Sequence, residues 1–390
     1  MGKLRTLRDL DLRGRRVLLR VDFNVPMKEG VITDDARIRA ALPTIQYLLE
    51  HEARIVICSH LGRPKGKVVA QLSMRPIADG LERLVGKPVG FVDQTVGSEA
   101  TEAAQALGPG ELLLLENTRF SPHETGNQAD FARELAALGD VYVNDAFGTV
   151  HRAHASTVGV AHYLPSAAGM LIERELQFLE IALQDPARPF VAVLGGAKIS
   201  DKIGVVGSLI ERAEALLIGG GIANTFLAAQ GHDMANSLVE PGSYEVALEL
   251  IEKAKEKLHL PADAVAADAF SPEAATQVVE VGNVPSGWQV LDIGPQTLEA
   301  FTHAVGQAGT VFWNGPMGVF ELAPFAAGTV GLAAAIAQSG ALSIVGGGDS
   351  AAAVRQAGLA NQFTHLSTGG GAALALLEGK PLPGLAVLQA

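Results

Sequence analysis

Short runs of Val, Leu and Ile recur along the chain, each closed by a glycine or polar turn and followed by apolar residues at helical spacing. Apolar runs of roughly four to eight residues between turn signals read as strands buried on both faces, and their alternation with helical patterns predicts parallel sheets covered by helices. In the first half the runs are "RRVLLRV", "ARIVIC", "PVGFV", "ELLLLE" and "VYVN". In the second they are "FVAVLG", "EALLIG", "WQVLDI", "GTVFWN", "ALSIVG" and a weaker "FTHLST". Two sheets of about this strand number are expected. The fold class predicted is therefore α/β: two three-layer α/β/α domains, each with a mostly parallel, Rossmann-like sheet.

Between the halves, "GMLIERELQFLEIALQDPARP" carries apolar residues at helical spacing and then a proline stop, which predicts a helix joining the domains. The expected boundaries are 1–170 for the N-terminal domain, 171–188 for the joining helix and 189–365 for the C-terminal domain. A length of 390 residues agrees, since single cores stop growing below that size. The tail "KPLPGLAVLQA" is apolar enough to dock on folded structure.

Composition narrows the class. The one cysteine, Cys58, sits in an apolar run and permits no internal disulfide. No run of 18 apolar residues and no apolar leader appear, so a cytoplasmic protein without membrane attachment is expected. Residues 1–170 hold 20 Lys+Arg against 20 Asp+Glu, and residues 171–390 hold 10 against 22, so the net charge of −12 belongs to the second half. That balance argues against nucleic acid as a partner and leaves the neutral half with cations for a small anion.

In open α/β sheets ligands bind beyond the carboxyl ends of the strands, so the residues after each run are the candidates. In the first half these are "RVDFNVP", "SHLGRP", "ENTRF" and "NDAFGTVHRAH", which set Asp22, Asn24, His60, Arg63, Arg119, His151 and Arg152 along one edge. That is an anion site made of side chains. In the second half they are "GGAKISDK", "GGGIAN", "DIGP", "WNGP", "GGGDSAA" and "STGGGAA". Glycine lets main chain approach closely, and the N–H groups opening the next helix face an anion, so this is a phosphate site made of backbone. One "GGG" is ordinary turn chemistry; the same chemistry after successive strands favours a ligand site.

Other chemistries fit less well. In "VGGGDSA", Gly346, Gly348 and Ala351 match a dinucleotide fingerprint, but the acidic residue expected about 20 positions on is replaced by "HLSTGGG", which weakens a nicotinamide-dependent dehydrogenase. No Gly-Lys pair lies in a P-loop pattern, so a kinase here is not of the Walker type. The "HRAH" at 151–154 has no acidic partner at metal-ligand spacing. A non-enzymatic sensor of a nucleotide and a phosphorylated ligand stays open beside these readings.

At "VLLRVDFNVP", residues 17–26, the chain resembles phosphoglycerate kinases, and the likeness continues nearly end to end through "SHLGRP", "LENTRF", "NDAFGTVHRAH", "GGAKISDK", "WNGPMGVFE", "GGGDS" and "STGGGA". The resemblance implies an N-terminal domain for 3-phosphoglycerate, a C-terminal domain for ATP or ADP with Mg²⁺, and a tail of about 366–390 packing back on the first domain. It implies a monomer that closes about a hinge. By position it assigns Asp22, Phe23, Asn24, Arg37, His60, Leu61, Gly62, Arg63, Arg119 and Arg152 to the glycerate. To the nucleotide it assigns Lys198, Lys202, Gly221, Gly294, Asn314, Glu321, Gly347, Gly348, Asp349 and Ser350, with Asp349 as the metal ligand. Arg37, Lys198 and Lys202 are the expected catalytic residues. A carboxylate nucleophile is already ionised at neutral pH, so alignment and charge neutralisation are required rather than a general base.

Overall fold

A computed structural model describes residues 2–389. The chain divides into two compact units: residues up to Gln177 together with those from Pro381 onward, and Phe178–Lys380. The first unit contains strands β1 (Arg16–Arg20), β2 (Met27–Lys28), β3 (Val31–Ile32), β4 (Arg54–Cys58), β5 (Val89–Val92), β6 (Leu112–Leu115), β7 (Val141–Asn144) and β8 (Ser166–Ala168). Its sheet runs β5-β6-β4-β1-β7-β8, parallel throughout, while β2 and β3 form a separate hairpin. Every apolar residue of β1 and β4 is 0 % exposed, which is why these strands read as unbroken apolar runs. Burying each such side chain contributes roughly 1.5–3 kcal/mol. From β1 the chain goes first to β4 on one side and later to β7 on the other, so the carboxyl ends of β4, β1 and β7 form the crevice of a topological switch point.

The second unit contains β9 (Phe190–Leu194), β10 (Ala215–Ile218), β11 (Leu258–His259), β12 (Asp263–Ala267), β13 (Thr276–Glu280), β14 (Gln289–Ile293), β15 (Thr310–Asn314), β16 (Leu342–Gly346) and β17 (His365–Leu366). Its main sheet, β11-β10-β9-β15-β16-β17, is also parallel throughout, and the order in which strands are added switches sides between β9 and β15. The "WQVLDI" run is not in that sheet. It forms β14 of a three-stranded antiparallel sheet, β13-β12-β14, with a register shift between Val265 and Ala266. Run length does not encode direction, and its partner β12, "DAVAA", is too alanine-rich to stand out as a strand.

The joining helix is Met170–Gln184. The returning tail is shorter than the expected 366–390. Leu366 pairs within β17, and the helix Gly370–Leu377 packs on the helix Ile203–Arg212, where Ser208 Oγ donates to the Leu377 carbonyl at 2.6 Å. Only beyond Pro381 does the chain rejoin the first unit. There Leu382, Leu385 and Leu388 are buried, and the Gly384 amide donates to Val150 O at 2.9 Å.

Candidate active site

In the first unit, the turn after β1 is fixed by its own backbone. The Val21 amide donates to Cys58 O at 3.1 Å and the Phe23 amide to Ser59 Oγ at 2.9 Å, which leaves Asp22 at the crevice. Arg37, from the first turns of the helix Ala36–Glu50, donates through Nη1 to Asp22 and to the Asn24 carbonyl. Asn24 Oδ1 accepts the Gly62 amide at 2.8 Å, tying the turns after β1 and β4 together. Arg119, after β6, donates to Gly62 O at 2.8 Å, while its Nε is buried without a hydrogen-bond partner. Arg152 is exposed and donates to His151 Nε2 at 3.0 Å; Arg63 is exposed. Phe23 and Leu61 are buried core side chains, so only their backbone faces the turns.

The electrostatics are those of a cationic cluster that Asp22 and Glu124 neutralise only in part. Burial, reinforced by Arg20, Arg119 and Arg37, pushes His60 well below the ordinary imidazole value. Burial and the neighbouring Arg119, Arg20 and Arg152 push His154 down to about 4, and burial with Arg20 and Arg152 lowers Arg119 to about 10. Neighbours that all disfavour positive charge stand ready for an anion. Arg20 escaped the sequence reading, as did Ser156 and Glu124, which brace it. Arg20 lies at the end of an apolar strand run, and its buried partners are far away in sequence.

In the second unit the turns after β9, β10 and β15 touch through backbone. A Cβ on Gly195 would lie 2.0 Å from Pro316 O, on Gly220 2.8 Å from Gly196 O, and on Gly221 2.4 Å from Ala197 O. Lys202 reaches back over this knot and donates to Gly195 O at 2.6 Å and Asn314 O at 2.9 Å. Burial lowers its ammonium to about 8, opposed by Asp349 and Asp201. Asn314 Nδ2 donates to Gly346 O at 2.6 Å, and Ser350 Oγ accepts the Gly315 amide at 2.6 Å, joining the turn after β16 to the set.

Beside these turns lies a cavity of about 490 Å³, lined among others by Gly196, Gly221, Phe270, Leu291, Glu321 and Asp349. A cavity this size suits a nucleotide. Gly347 has φ +102° and precedes the helix Gly348–Gln356, whose first turn carries the exposed Asp349. Lys198 is exposed. Gly294 does not line this cavity. It leaves room for the buried Asp263, whose carboxylate would meet a Cβ there at 2.2 Å and which accepts the amides of Gln296 and Thr297 at the next helix start.

A cationic side-chain site on one α/β unit and a glycine-built, cavity-backed site on the other have the parts that a phosphotransferase outside the P-loop class requires. The sequence model of the family described as phosphoglycerate kinase matches residues 7–380. A phosphoglycerate kinase of Roseiflexus sp. (strain RS-1) is 59% identical over 390 residues, covering 99% of each chain, and that of Chloroflexus aggregans is 59% identical over 394 residues, covering 99% of this chain and 98% of that one. Among solved structures, phosphoglycerate kinase from Coxiella burnetii superposes with a TM-score of 0.85 at 44% identity and 99% coverage of both chains. The enzyme from Pyrococcus horikoshii OT3 gives 0.89 at 35% identity, covering 99% and 98%. The chain belongs to the phosphoglycerate kinase family, and with it to the phosphotransferases that use a carboxyl group as acceptor. Nothing in these comparisons supports a dehydrogenase or a non-enzymatic sensor. Among the described residues no helix is long and apolar enough to cross a membrane.

Proposed function

We propose that the first unit holds 3-phosphoglycerate and the second holds the nucleotide in the reaction of this family, the reversible transfer of a phosphoryl group from 1,3-bisphosphoglycerate to ADP, giving 3-phosphoglycerate and ATP. The observation that carries the glycerate assignment is the gathering of Arg20, Arg37, Arg119, His60 and His154 around two carboxylates, Asp22 and Glu124, where burial and the neighbouring arginines hold His60, His154 and Arg119 below their ordinary values. A multiply charged anion relieves that repulsion. On the nucleotide side, the amides after β16 and the Lys202 ammonium face the phosphates, and Glu321 faces the ribose from the cavity wall.

Mg²⁺ is the expected cofactor. A single exposed carboxylate, Asp349, suits it, because this ion keeps several waters and shares its ligation with phosphate oxygens; bound there, it would neutralise charge on the phosphates. The protein's own part is alignment and charge. Arg37 and Lys202 offer cations to the transferring group, and the carboxylate acceptor needs no base. Lys198, exposed beside the turn after β9, joins them on phosphate binding. A cytoplasmic monomer that closes about a hinge when both ligands are bound completes the proposal; X-ray scattering with and without both ligands tests the closure.

The decisive assay couples 1,3-bisphosphoglycerate formation from ATP and 3-phosphoglycerate to an optical readout, with and without Mg²⁺, beside Arg37→Ala. Mg²⁺-dependent turnover that is lost in the variant supports reaction and site together. Binding of both ligands without turnover overturns the reaction.

A further inference from the structure

Behind the crevice of the first unit, Arg20, Ser156, Glu124 and His60 form a chain of side chains whose proton placement the proposed reaction leaves unassigned. Arg20, at the end of β1 and 0 % exposed, donates from Nε to Ser156 Oγ at 2.8 Å and from Nη1 to its neighbour's carbonyl, Val21 O. Ser156 in turn gives both of its protons to buried Glu124, the hydroxyl to Oε1 at 2.5 Å and the amide to Oε2 at 2.9 Å. The remaining edge of Arg20, Nη2, lies 3.2 Å from His60 Nδ1.

The direction of every proton in this chain is set by its ends. An arginine side chain has only donors and an ionised carboxylate only acceptors, so Ser156 Oγ must donate to Glu124 and accept from Arg20, and His60 Nδ1 must accept from Nη2. A proton on Nδ1 would set two donors face to face at hydrogen-bond distance, with no other acceptor among the described residues to take it: the Asp22 Oδ1 carboxylate oxygen is 3.9 Å away, too far for a hydrogen bond. We infer that Arg20, aimed by Ser156 and Glu124, is a positioning residue that locks His60 as the neutral tautomer with its proton on Nε2. His60 then serves the anion site as a fixed N–H donor, and neither nitrogen is free to act as a base.

The groups around the ring agree. Arg20 from β1, Arg37 from its helix, Arg119 after β6 and His154 all oppose a second proton, while the Asp22 carboxylate, 3.9 Å from Nδ1, faces the ring with the opposite sign. His60 is 3 % exposed, and among the described residues its Nε2 meets no protein acceptor. The inference rests on the proposed glycerate site only for what Nε2–H binds, not for the tautomer itself.

Long-range ¹H–¹⁵N spectra of the histidine-labelled full chain read the tautomer directly. The expected result is an Nε2–H pattern for His60 that does not titrate between about pH 5.5 and 8. An Nδ1–H pattern, or titration near the ordinary imidazole value, overturns the lock. Ser156→Ala removes only the hydroxyl that aims Arg20, and Arg20→Met removes the donor; in both, His60 should sample both tautomers. The KM for 3-phosphoglycerate should rise about tenfold, as for loss of one hydrogen bond to a charged group, with kcat changed less. Should Arg20→Met fail to fold, Ser156→Ala decides, and an unchanged His60 pattern in it removes Arg20 from the role. Adding 3-phosphoglycerate separates the two readings: an Nε2–H tautomer whose shift ignores this ligand leaves the lock standing and refutes the assignment of His60 to the glycerate.

Discussion

Arg37 donates through a single nitrogen, Nη1, to both carboxylate oxygens of Asp22, each at 3.2 Å, and to the Asn24 carbonyl at 3.1 Å. Among the described residues its Nε and Nη2 make no hydrogen bond, so one edge of the guanidinium is held and the other is presented. By analogy with an arginine finger, Arg37→Ala should lower turnover by roughly 10³ with nucleotide affinity nearly unchanged. Asp22→Asn loosens the cation without removing it and should fall between. A loss of only a few-fold in Arg37→Ala would take Arg37 out of the transition state.

Lys202 leans on two carbonyls, and its burial lowers it to about 8, so the free enzyme loses this charge as pH rises through that value. Since kcat/KM reports ionisations of the free enzyme, kcat/KM for ADP should fall through about pH 8. In Lys202→Arg the fall should move beyond the accessible range, because guanidinium stays charged. A wild-type profile flat to about pH 9.5 would contradict this role.

Asp349→Ala should weaken Mg-ADP binding more than binding of ADP in the presence of chelator, because the lost oxygen is a ligand for a hard cation. Titration calorimetry reads both affinities without turnover. Equal losses in the two titrations would make Asp349 a structural carboxylate.

The glycine knot predicts opposite signs for two alanine substitutions. Gly315 has φ +98° and would bring a Cβ to 2.2 Å from Gly195 O, so Gly315→Ala should destabilise by about 3 kcal/mol or more. Gly207, inside the helix Ile203–Arg212 with nothing within 4 Å of its Cβ position, should gain about 0.5–1 kcal/mol as alanine. Denaturant unfolding measures both, and a neutral Gly315→Ala would dissolve the argument from close approach.

Asp145 is fully buried at the start of the joining helix, where Oδ1 accepts the Leu171 amide at 2.9 Å and Oδ2 has no partner. Burial raises it to about 7. Its folded value therefore lies above the unfolded one of about 3.9, so stability is full below that unfolded value and is lost as pH rises toward 7. Asp145→Asn keeps an acceptor for the helix amides without the charge. It should raise the melting temperature at about pH 8 and leave it unchanged near pH 3, below the unfolded value, where the aspartate is protonated in both states; equal shifts at the two pH values would rule out the titration.

What could be read ahead of the structure was what periodicity encodes. All five runs of the first half became strands of one sheet, and the residues that follow β1, β4 and β6 do meet at its switch point. The pattern failed where burial is by small residues, as in β12 and the short β8, "SAA", which look like loop. It failed again where a polar residue serves inside the core. Arg20, Glu124 and Ser156 are buried because they satisfy one another, and a partner 32 to 136 positions away leaves no local trace. Gly294 carries a demand that no local pattern shows, since a Cβ there would run into the Asp263 carboxylate.

The first unit takes its last buried leucines from residues beyond Pro381, after the whole of Phe178–Lys380 has intervened. On the ribosome the order of completion is therefore inverted. The second unit has all its strands in hand while the first still lacks Leu382, Leu385 and Leu388 and the bond from the Arg5 amide to Leu388 O. The second unit can be a finished domain while the first, begun earlier, waits for the residues beyond Pro381 to close its core.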